Sequence, residues 1–429
     1  MAGVAVVRVS GPLAAAAISL FSGKKPPAPR RAVVRLLRDP ADDELIDEAL
    51  ILWMPGPGSF TGEDVAEFHV HGGRATVRRL LAVLSGMEGL RMARAGEFTR
   101  RAFDNGRMTL MDVEGLADLL RAETEAQRRQ ALEAASGAAA RRAGKWRDDL
   151  IFILSRLEAA IDFIEEEDVA AQALEGLAGR MDDLTASMDA ALREARVAER
   201  VREGLRIVLA GPPNAGKSSL LNAMARRDVA IVSQTAGTTR DVLEVHMDLD
   251  GLPVILCDTA GLRDETGDGD EIEKIGQARA RELLKTADAV IWMEAPDARS
   301  NEIPHFESDA LRILNKSDLA DSVPLSSRYD LCVSVKTGEG LKELEERLTG
   351  MVHDKYDLVR PPVISRERQR QALERARERL AGARAALDGP VEVTAELARQ
   401  AARDIERMIG KVDVEDLLDS IFSSFCIGK

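Results

Sequence analysis

A glycine-rich segment that ends in lysine and serine is the part of this sequence best suited to chemistry. Residues 211–218 read Gly-Pro-Pro-Asn-Ala-Gly-Lys-Ser and lie between an apolar run, 205–210, and a helix-like stretch, 219–224. In this context the glycines let backbone N–H groups surround phosphate oxygens, while Lys217 reaches the outer phosphates and Ser218 holds Mg²⁺. The segment therefore predicts a nucleoside triphosphate site at Asn214, Ala215, Gly216, Lys217, Ser218 and Ser219.

Three further motifs, each at the end of an apolar strand-like run, predict that the base is guanine. Asn-Lys-Ser-Asp at 315–318 supplies a carboxylate that accepts hydrogen bonds from the exocyclic amine and ring N–H of guanine. In Asp-Thr-Ala-Gly at 258–261, the first residue reaches the Mg²⁺ shell and the last donates its N–H to the γ-phosphate. Ser-Val-Lys at 334–336 closes the base pocket. The residues assigned are Asp258, Thr259, Ala260, Gly261, Asn315, Lys316, Asp318, Ser334, Val335 and Lys336.

The four motifs together resemble the Ras-like GTPases, but the water-orienting residue of those proteins is missing. Leu262 stands after Gly261, where Ras-type proteins carry a glutamine, and no arginine finger is apparent. Asn214 is either a turn residue of a tight loop or a ligand of a monovalent cation beside the phosphates. A segment rich in small hydroxyl side chains would supply carbonyls to that cation and Thr239 to Mg²⁺. The residues assigned in this segment are Ser233, Gln234, Thr235, Ala236, Gly237, Thr238 and Thr239.

Composition places the chain among cytoplasmic, reduced proteins of several domains. Its 429 residues suggest about three domains, and its net charge of −14 argues against broad non-specific nucleic-acid binding without excluding a local patch. The first residues lack the basic region of a signal peptide, and no apolar run of about 20 residues predicts a membrane span. Three cysteines cannot form a disulfide framework.

Hydrophobic periodicity divides the chain into four parts. Residues 1–105 alternate strands and helices, residues 106–203 and 355–429 follow a helical period, and residues 204–354 carry the nucleotide motifs. Each helical part has narrow apolar stripes that need partners. The two parts either pack as one domain or form separate units, and we favour the first. The predicted fold class is multidomain α/β + α, with an α+β N-terminal domain, a discontinuous helical domain and an inserted Ras-like α/β G domain.

The end of the sequence is apolar and carries a thiol. Asp413 is placed to cap a helix with an apolar stripe, after which the chain ends in Cys426-Ile-Gly-Lys429. A prenylation signal does not fit, because Gly428 interrupts the aliphatic pair that it needs. Cys426 is therefore either a core residue or a functional thiol.

Several further motifs make the whole chain similar to one family. The Phe-Cys-Ile-Gly-Lys end follows a GTPase region with Gly-Thr-Thr-Arg-Asp at 237–241. The N-terminal part adds Val-Arg-Val-Ser-Gly at 7–11, Ser-Phe-Thr-Gly-Glu-Asp at 59–64, His-Gly-Gly at 71–73, Gly-Glu-Phe-Thr at 96–99 and Arg-Ala-Phe at 101–103. With these motifs the chain resembles the MnmE (TrmE) family of tRNA-modification GTPases.

For the GTPase region the resemblance implies potassium-dependent GTP hydrolysis, stimulated when two G domains meet. It places K⁺ at Asn214, Ser233, Thr235 and Thr238, and Mg²⁺ at Ser218 and Thr239. Glu273 matches the glutamate that positions the attacking water, although Glu271 is an alternative because this acidic loop is longer than usual. The catalytic residues expected are Glu273, Lys217 and Cys426.

For the N-terminal domain the resemblance implies homodimerisation and a site for 5,10-methylene- or 5-formyltetrahydrofolate. The expected folate residues are Arg8, Glu67, Arg107 and Lys429. Without the family, Arg8 and Glu67 would be interpreted as exposed residues on strands. Arg107 replaces an expected lysine, and the chain begins within the turn that precedes Val7 in the family. Either the start is misplaced or the folate pocket lacks a wall.

The function that the resemblance implies is modification of carbon 5 of the wobble uridine in certain tRNAs, to an aminomethyl or carboxymethylaminomethyl group. The flavoprotein GidA (MnmG) would join it in a heterotetrameric or larger complex and carry the FAD, since residues 55–62 lack dinucleotide-site spacing. The arginines between 366 and 379 alternate with glutamates, which predicts a solvated helix face rather than a tRNA patch. The alternative function is a GTP-driven switch in ribosome or complex assembly, without chemistry on RNA.

Overall fold

The computed structural model describes residues 2–163, 165–227, 229–231, 244–259, 281–306, 308–319, 328–355, 364–410, 421–422 and 425. The chain forms two compact units. Unit 1 contains Met1–Ala117, Ala134–Thr185 and Ala372–Lys429, and unit 2 contains Asp118–Glu133 and Ala186–Gln371. The four-part division at 105, 203 and 354 stays a prediction.

Unit 1 begins with a four-stranded antiparallel sheet and three helices. Its strands are β1 (Val4–Ser10), β2 (Val33–Arg38), β3 (Leu45–Met54) and β4 (Val65–His71), in the order β1-β4-β3-β2. The helices are α1 (Ala14–Ser22), α2 (Arg74–Gly86) and α3 (Glu97–Asp104). Alternation of apolar and polar residues predicts strands at residues 4–9, 33–37, 49–54 and 65–71. All four are confirmed, and β3 starts four residues before its predicted range. Phe21 of α1 packs edge-on against Phe68 of β4, with ring centroids 5.5 Å apart.

Helices account for most of the remaining described residues of unit 1 and for part of unit 2. They are α4 (Leu110–Arg121), α5 (Glu125–Ala135), α6 (Ala138–Asp162), α7 (Glu167–Leu174), α8 (Leu177–Glu203), α11 (Glu367–Ala385) and α12 (Val391–Ile409). Apolar residues at 146, 150, 153, 157, 161 and 164 recur at steps of three and four, which predicts one helix face. On α6, Trp146, Leu150, Ile153 and Leu157 of this stripe are buried. In unit 1, α6 and α12 contact each other through ion pairs from Arg147 to Glu406 and from Arg399 to Glu158. Helices from both flanks of the nucleotide motifs therefore pack together.

The predicted solvated face on residues 366–379 is wrong for three of its arginines. Within unit 2, Arg366 binds Asp118 at 2.6 Å and Arg370 binds Glu199 at 2.9 Å. Within unit 1, Arg379 binds Asp404, which is fully buried, at 2.5 Å. The alternating arginines are drawn into these ion pairs because neighbouring helices place a carboxylate opposite each of them, which the helix period by itself does not encode.

Unit 2 is built on a six-stranded sheet in the order β10-β9-β8-β5-β7-β6. The strands are β5 (Leu205–Ala210), β6 (Glu244–Leu249), β7 (Leu252–Asp258), β8 (Ala289–Glu294), β9 (Asp309–Leu314) and β10 (Leu331–Cys332), with α9 (Lys217–Met224) and α10 (Leu341–Lys355) among the helices. All pairings are parallel except that of β6 with β7. Every residue of β7 and β8 is buried, which is why their sequences are nearly continuous apolar runs.

The topology marks the position of a ligand site. The sheet places β7 and β6 on one side of β5 and β8, β9 and β10 on the other, so the strand order reverses at β5, and the loop after β5 lies at the carboxyl edge of the sheet. Ligands of doubly wound sheets bind at such a switch point. Over the described residues, no helix is long and apolar enough to cross a membrane.

Candidate nucleotide and cofactor sites

The loop between β5 and α9 has the conformation of a phosphate cradle. Gly211, Asn214 and Gly216 all have positive φ, at 141°, 63° and 96°. A Cβ on Gly211 would lie 2.0 Å from the carbonyl oxygen of Met293, so only glycine fits beside β8. The loop leads directly into the N-terminus of α9, where unpaired backbone N–H groups favour an anion. The predicted phosphate loop therefore has both the shape and the helix that it needs.

Lys217 and Ser218 lie at the start of α9 as predicted. The Lys217 side chain is buried, and its Nζ donates to the carbonyl oxygens of Gly211 at 3.0 Å and Pro212 at 2.9 Å. Ser218 Oγ donates to Oδ2 of Asp258 at 2.5 Å, and Asp258 is fully buried at the end of β7. A hydroxyl and a carboxylate oxygen at hydrogen-bond distance are the hard ligands that Mg²⁺ prefers, so this pair fits the ion.

The base motif touches the phosphate loop through Asn315. Its Nδ2 donates to the carbonyl oxygen of Ala215 at 2.9 Å, and its Oδ1 accepts from the backbone N–H of Val335 at 3.2 Å. The side chain is only 2% exposed. A Cβ on Gly216 would lie 2.3 Å from Asn315 Nδ2. One amide therefore holds three of the predicted motifs in a fixed arrangement.

Ser334 orients the carboxylate that is expected to read guanine. Its buried Oγ donates to Oδ1 of Asp318 at 2.7 Å and accepts from the backbone N–H of Thr337. Asp318 itself is exposed, so its carboxylate remains accessible to a ligand. Lys316 has a positive φ of 57°, and its Nζ binds Asp297 at 2.8 Å. Asp297 lies outside the recognised nucleotide motifs, so no sequence pattern assigns it to the site.

The structure describes some of the remaining residues that the sequence assigned to these sites, and not others. Thr259 Oγ1 donates to the carbonyl oxygen of Leu209 at 2.8 Å, so its hydroxyl is held by the sheet. Asn214, Ser219 and Lys336 are exposed around the site. Outside the described residues lie Ser233, Gln234, Thr235, Ala236, Gly237, Thr238, Thr239, Ala260, Gly261, Glu273, Cys426 and Lys429.

A second candidate site is a cavity of about 730 Å³ in unit 1, formed by β1, β4, α2, α3 and the 89–93 loop. Arg8 and Glu67 face each other in the β1–β4 register, and Arg8 Nε donates to Glu67 Oε1 at 2.8 Å. Their side chains are 26% and 12% exposed, so they line the cavity instead of forming an open strand face. Arg107 is not among the lining residues and packs beside Gly62.

The cavity has an apolar wall and a charged rim. The wall comes from Val77, Leu81, Leu84 and Leu90. At the rim, hydrogen bonds from Arg91 lower the pKa of Glu97 to about 2, with a further contribution from Arg101. His69, Arg91, Glu97 and Arg101 were not assigned from sequence, although the 96–103 motifs include two of them. Such a cavity suits a flat heterocycle with an anionic tail.

The fold and the first site define a phosphate-loop nucleotide-binding protein with a guanine-type base motif. Two family models match the chain: GTP-binding protein TrmE N-terminus over residues 1–107, and MnmE helical domain over residues 110–426. These matches together span nearly the whole chain.

Individual proteins of the same family also match this chain over its full length. The chain is 49% identical to tRNA modification GTPase MnmE of Methylobacterium sp. (strain 4-46), with 100% of this chain and 97% of that protein covered. The protein of that name from Beijerinckia indica is 48% identical, with 99% and 93% covered. The G domain of the T. maritima FeoB iron transporter aligns with 34% of this chain and 98% of its own length, at 25% identity and a TM-score of 0.25. The chain therefore belongs to the MnmE family of tRNA modification GTPases.

Replacing Gly216 by alanine tests the contact between the phosphate loop and Asn315. We expect Gly216→Ala to weaken GDP binding at least about tenfold, because the new methyl would displace the Asn315 amide. Fluorescence titration with a labelled GDP measures this. Gly251→Ala is the matched control, since Gly251 also has a positive φ, 82°, but its Cβ would make only a 3.6 Å contact. If both variants lose GDP affinity equally, the loss is caused by backbone strain alone.

Proposed function

We propose that this protein is a potassium-dependent GTPase that modifies carbon 5 of the wobble uridine in certain tRNAs together with a GidA (MnmG) flavoprotein. The observation that carries the nucleotide part is Asn315, which joins the phosphate loop to the base loop beside the Ser218–Asp258 pair. The proposed domains are residues 1–105 for folate binding and dimerisation, 106–203 with 355–429 for the helical domain, and 204–354 for the inserted G domain.

Each residue of the proposed nucleotide site has a distinct role. Lys217, whose ammonium donates to carbonyl oxygens of the phosphate loop, neutralises the outer phosphates. Asp318 accepts hydrogen bonds from the exocyclic amine and the ring N–H of guanine. Ser218 and Thr239, with Asp258 nearby, would hold Mg²⁺, which when bound offsets charge on the transferred phosphoryl oxygens. Glu273 orients the attacking water, a role that Leu262 cannot fill.

Potassium would bind at Asn214 together with Ser233, Thr235 and Thr238. What supports this assignment is that Asn214 is exposed at a left-handed position inside the phosphate loop, and that its side chain has no hydrogen bond among the described contacts. A side-chain oxygen there lies next to the phosphates, where a monovalent cation would reduce their repulsion.

The cation proposal predicts a specific salt effect. GTP hydrolysis by the wild-type protein should be at least about tenfold faster in KCl than in NaCl at equal ionic strength. Asn214→Ala should lower the KCl rate to the NaCl rate, while GDP binding in NaCl stays unchanged. Phosphate release measures the rates. Equal wild-type rates in the two salts would refute the potassium site.

The cavity of unit 1 would bind the tetrahydrofolate derivative that supplies the one-carbon unit. Its apolar wall suits a pterin ring, Glu67 can accept from the donor edge of that ring, and the rim arginines Arg91 and Arg101 can pair with carboxylates of the tail. Arg8 would hold Glu67 in position through their ion pair. The family resemblance adds Arg107, which packs beside Gly62 and does not line the cavity, and Lys429, which lies outside the described residues.

Glu67→Gln tests the folate site. We expect it to weaken 5-formyltetrahydrofolate binding by about tenfold or more, because the amide replaces one acceptor oxygen of the carboxylate with an NH2 donor and removes its charge. Isothermal titration calorimetry on the full chain measures the affinity. Asp42→Asn is a matched control, since Asp42 binds Arg79 at the surface of the same sheet unit and away from the cavity. Unchanged binding in Glu67→Gln would exclude this carboxylate from the site.

The proposed assembly is a homodimer that joins GidA in a heterotetrameric or larger complex with tRNA. FAD belongs to GidA, and Cys426 either assists the chemistry or shapes the pocket. A chemical step on the base requires that the uridine be exposed near the folate. The assembly would act in the cytoplasm.

Nucleoside mass spectrometry of bulk tRNA tests the function as a whole. Deletion of the gene should remove the carbon-5 side chain of wobble uridine, and the wild-type gene should restore it. A Lys217→Ala copy should not restore the side chain, because the outer phosphates then lose the lysine ammonium that neutralises them. An unchanged profile after deletion, in cells without a second enzyme for this step, would favour a GTP-driven assembly switch instead.

A further inference from the structure

Glu294, the last residue of β8, is a fully buried carboxylate outside all four nucleotide motifs. Its Oε2 accepts from the Tyr329 hydroxyl at 2.6 Å. Its Oε1 accepts from Trp292 Nε1 at 3.2 Å, from the Ser300 N–H at 3.1 Å and from the Arg328 guanidinium at 3.1 Å. A buried carboxylate is costly unless it is hydrogen-bonded, and this one has four donors.

The carboxylate is ionised at neutral pH. Burial alone would raise the pKa of Glu294, but the hydrogen bonds from Tyr329, Trp292, Ser300 and Arg328 outweigh burial and lower it. Conversely, burial and the adjacent carboxylate raise the pKa of Tyr329, so its hydroxyl stays a donor. The group is therefore a fixed negative charge with fixed donors, and not a titrating switch.

The first segment that Glu294 holds is the loop after β8. Ser300 is bound through its N–H by Glu294 and through its carbonyl oxygen by Arg328 at 2.6 Å, which closes the loop of residues 295–300. Asp297 lies in this loop and binds Lys316 of the base motif at 2.8 Å. The position of Lys316 therefore depends on a loop that Glu294 anchors.

The second segment runs from Arg328 through β10 to the base pocket. Directly after Tyr329, the Asp330 carboxylate accepts from the Arg312 N–H at 2.8 Å, and the Val333 N–H donates to the Leu314 carbonyl. The next two residues, Ser334 and Val335, are those that bind Asp318 and Asn315. Glu294 also neighbours Asn315 directly, since its carbonyl oxygen accepts from the Asn315 N–H at 2.7 Å.

We propose that Glu294 is a positioning residue for guanine selectivity, which acts by fixing the two segments that hold Lys316, Asn315 and Asp318. The inference rests on the proposed guanine site. A carboxylate discriminates between bases only if its distance to the exocyclic amine is kept within a few tenths of an ångström. A single ionised group that anchors both flanking segments provides that constraint from outside the ligand pocket.

The test compares binding of GDP and inosine diphosphate, because hypoxanthine lacks the exocyclic amine that Asp318 is expected to bind. In the wild-type protein, the inosine diphosphate Kd should be about ten times the GDP Kd or more. Glu294→Gln should reduce this ratio about fivefold, and Tyr329→Phe should reduce it less. Loss of packing alone would weaken both nucleotides equally and leave the ratio unchanged.

Glu345→Gln is the matched control. Glu345 also pairs with an arginine of unit 2, Arg227 at 2.7 Å, but contacts no residue of the base motifs. In this variant, the ratio of the inosine diphosphate Kd to the GDP Kd should equal that of the wild type. An unchanged ratio in a folded Glu294→Gln protein overturns the inference, and if that variant does not fold, an unchanged ratio in Tyr329→Phe overturns it. A wild-type ratio near one would instead refute the guanine site itself.

Discussion

The nucleotide site depends on one close approach, between the phosphate loop and the amide of Asn315. The loop can reach this amide only because Gly216 has no side chain, and it passes over β8 only because Gly211 has none. Asn315 in turn binds the backbone on both sides of the pocket, at Ala215 and Val335. The distance between the phosphate end and the base end is therefore set by the protein before any nucleotide binds, which lowers the cost of ordering on binding.

Three buried polar groups of unit 2 lie at the same edge of the sheet. Asp258 ends β7, Glu294 ends β8 and Asn315 follows β9, and each has its hydrogen bonds satisfied within the unit. Along the interiors of β7 and β8 the residues are apolar, so the polar groups appear where the strands stop. This arrangement follows from the parallel sheet, because its strand ends meet at one edge and present unpaired backbone groups to a ligand.

Many of the described arginines form ion pairs with carboxylates. The net charge of −14 would suggest a surface that repels RNA, yet many arginines are bound to carboxylates inside each unit, including Arg8, Arg101, Arg366 and Arg379. Ion pairs of this kind orient side chains more than they stabilise the fold. In the cavity of unit 1, they hold carboxylates and guanidinium groups at defined positions around an apolar wall. Net charge therefore says little about which surfaces can bind a polyanion.

The sequence by itself determined the phosphate loop, the base motif, most of the described strands and the resemblance to the family, because each depends on local spacing, on glycine positions or on a period of two or 3.6 residues. It did not reveal α1, whose alanine-rich segment lacks a polar face, although its buried Ala14, Ala17, Ile18 and Phe21 follow a helical spacing. Only the tertiary structure decided that Arg8 meets Glu67, that Asp297 holds Lys316, and that Glu294 joins two loops. Each of these contacts joins segments whose relative position is fixed by strand register and packing, which no local pattern of residues encodes.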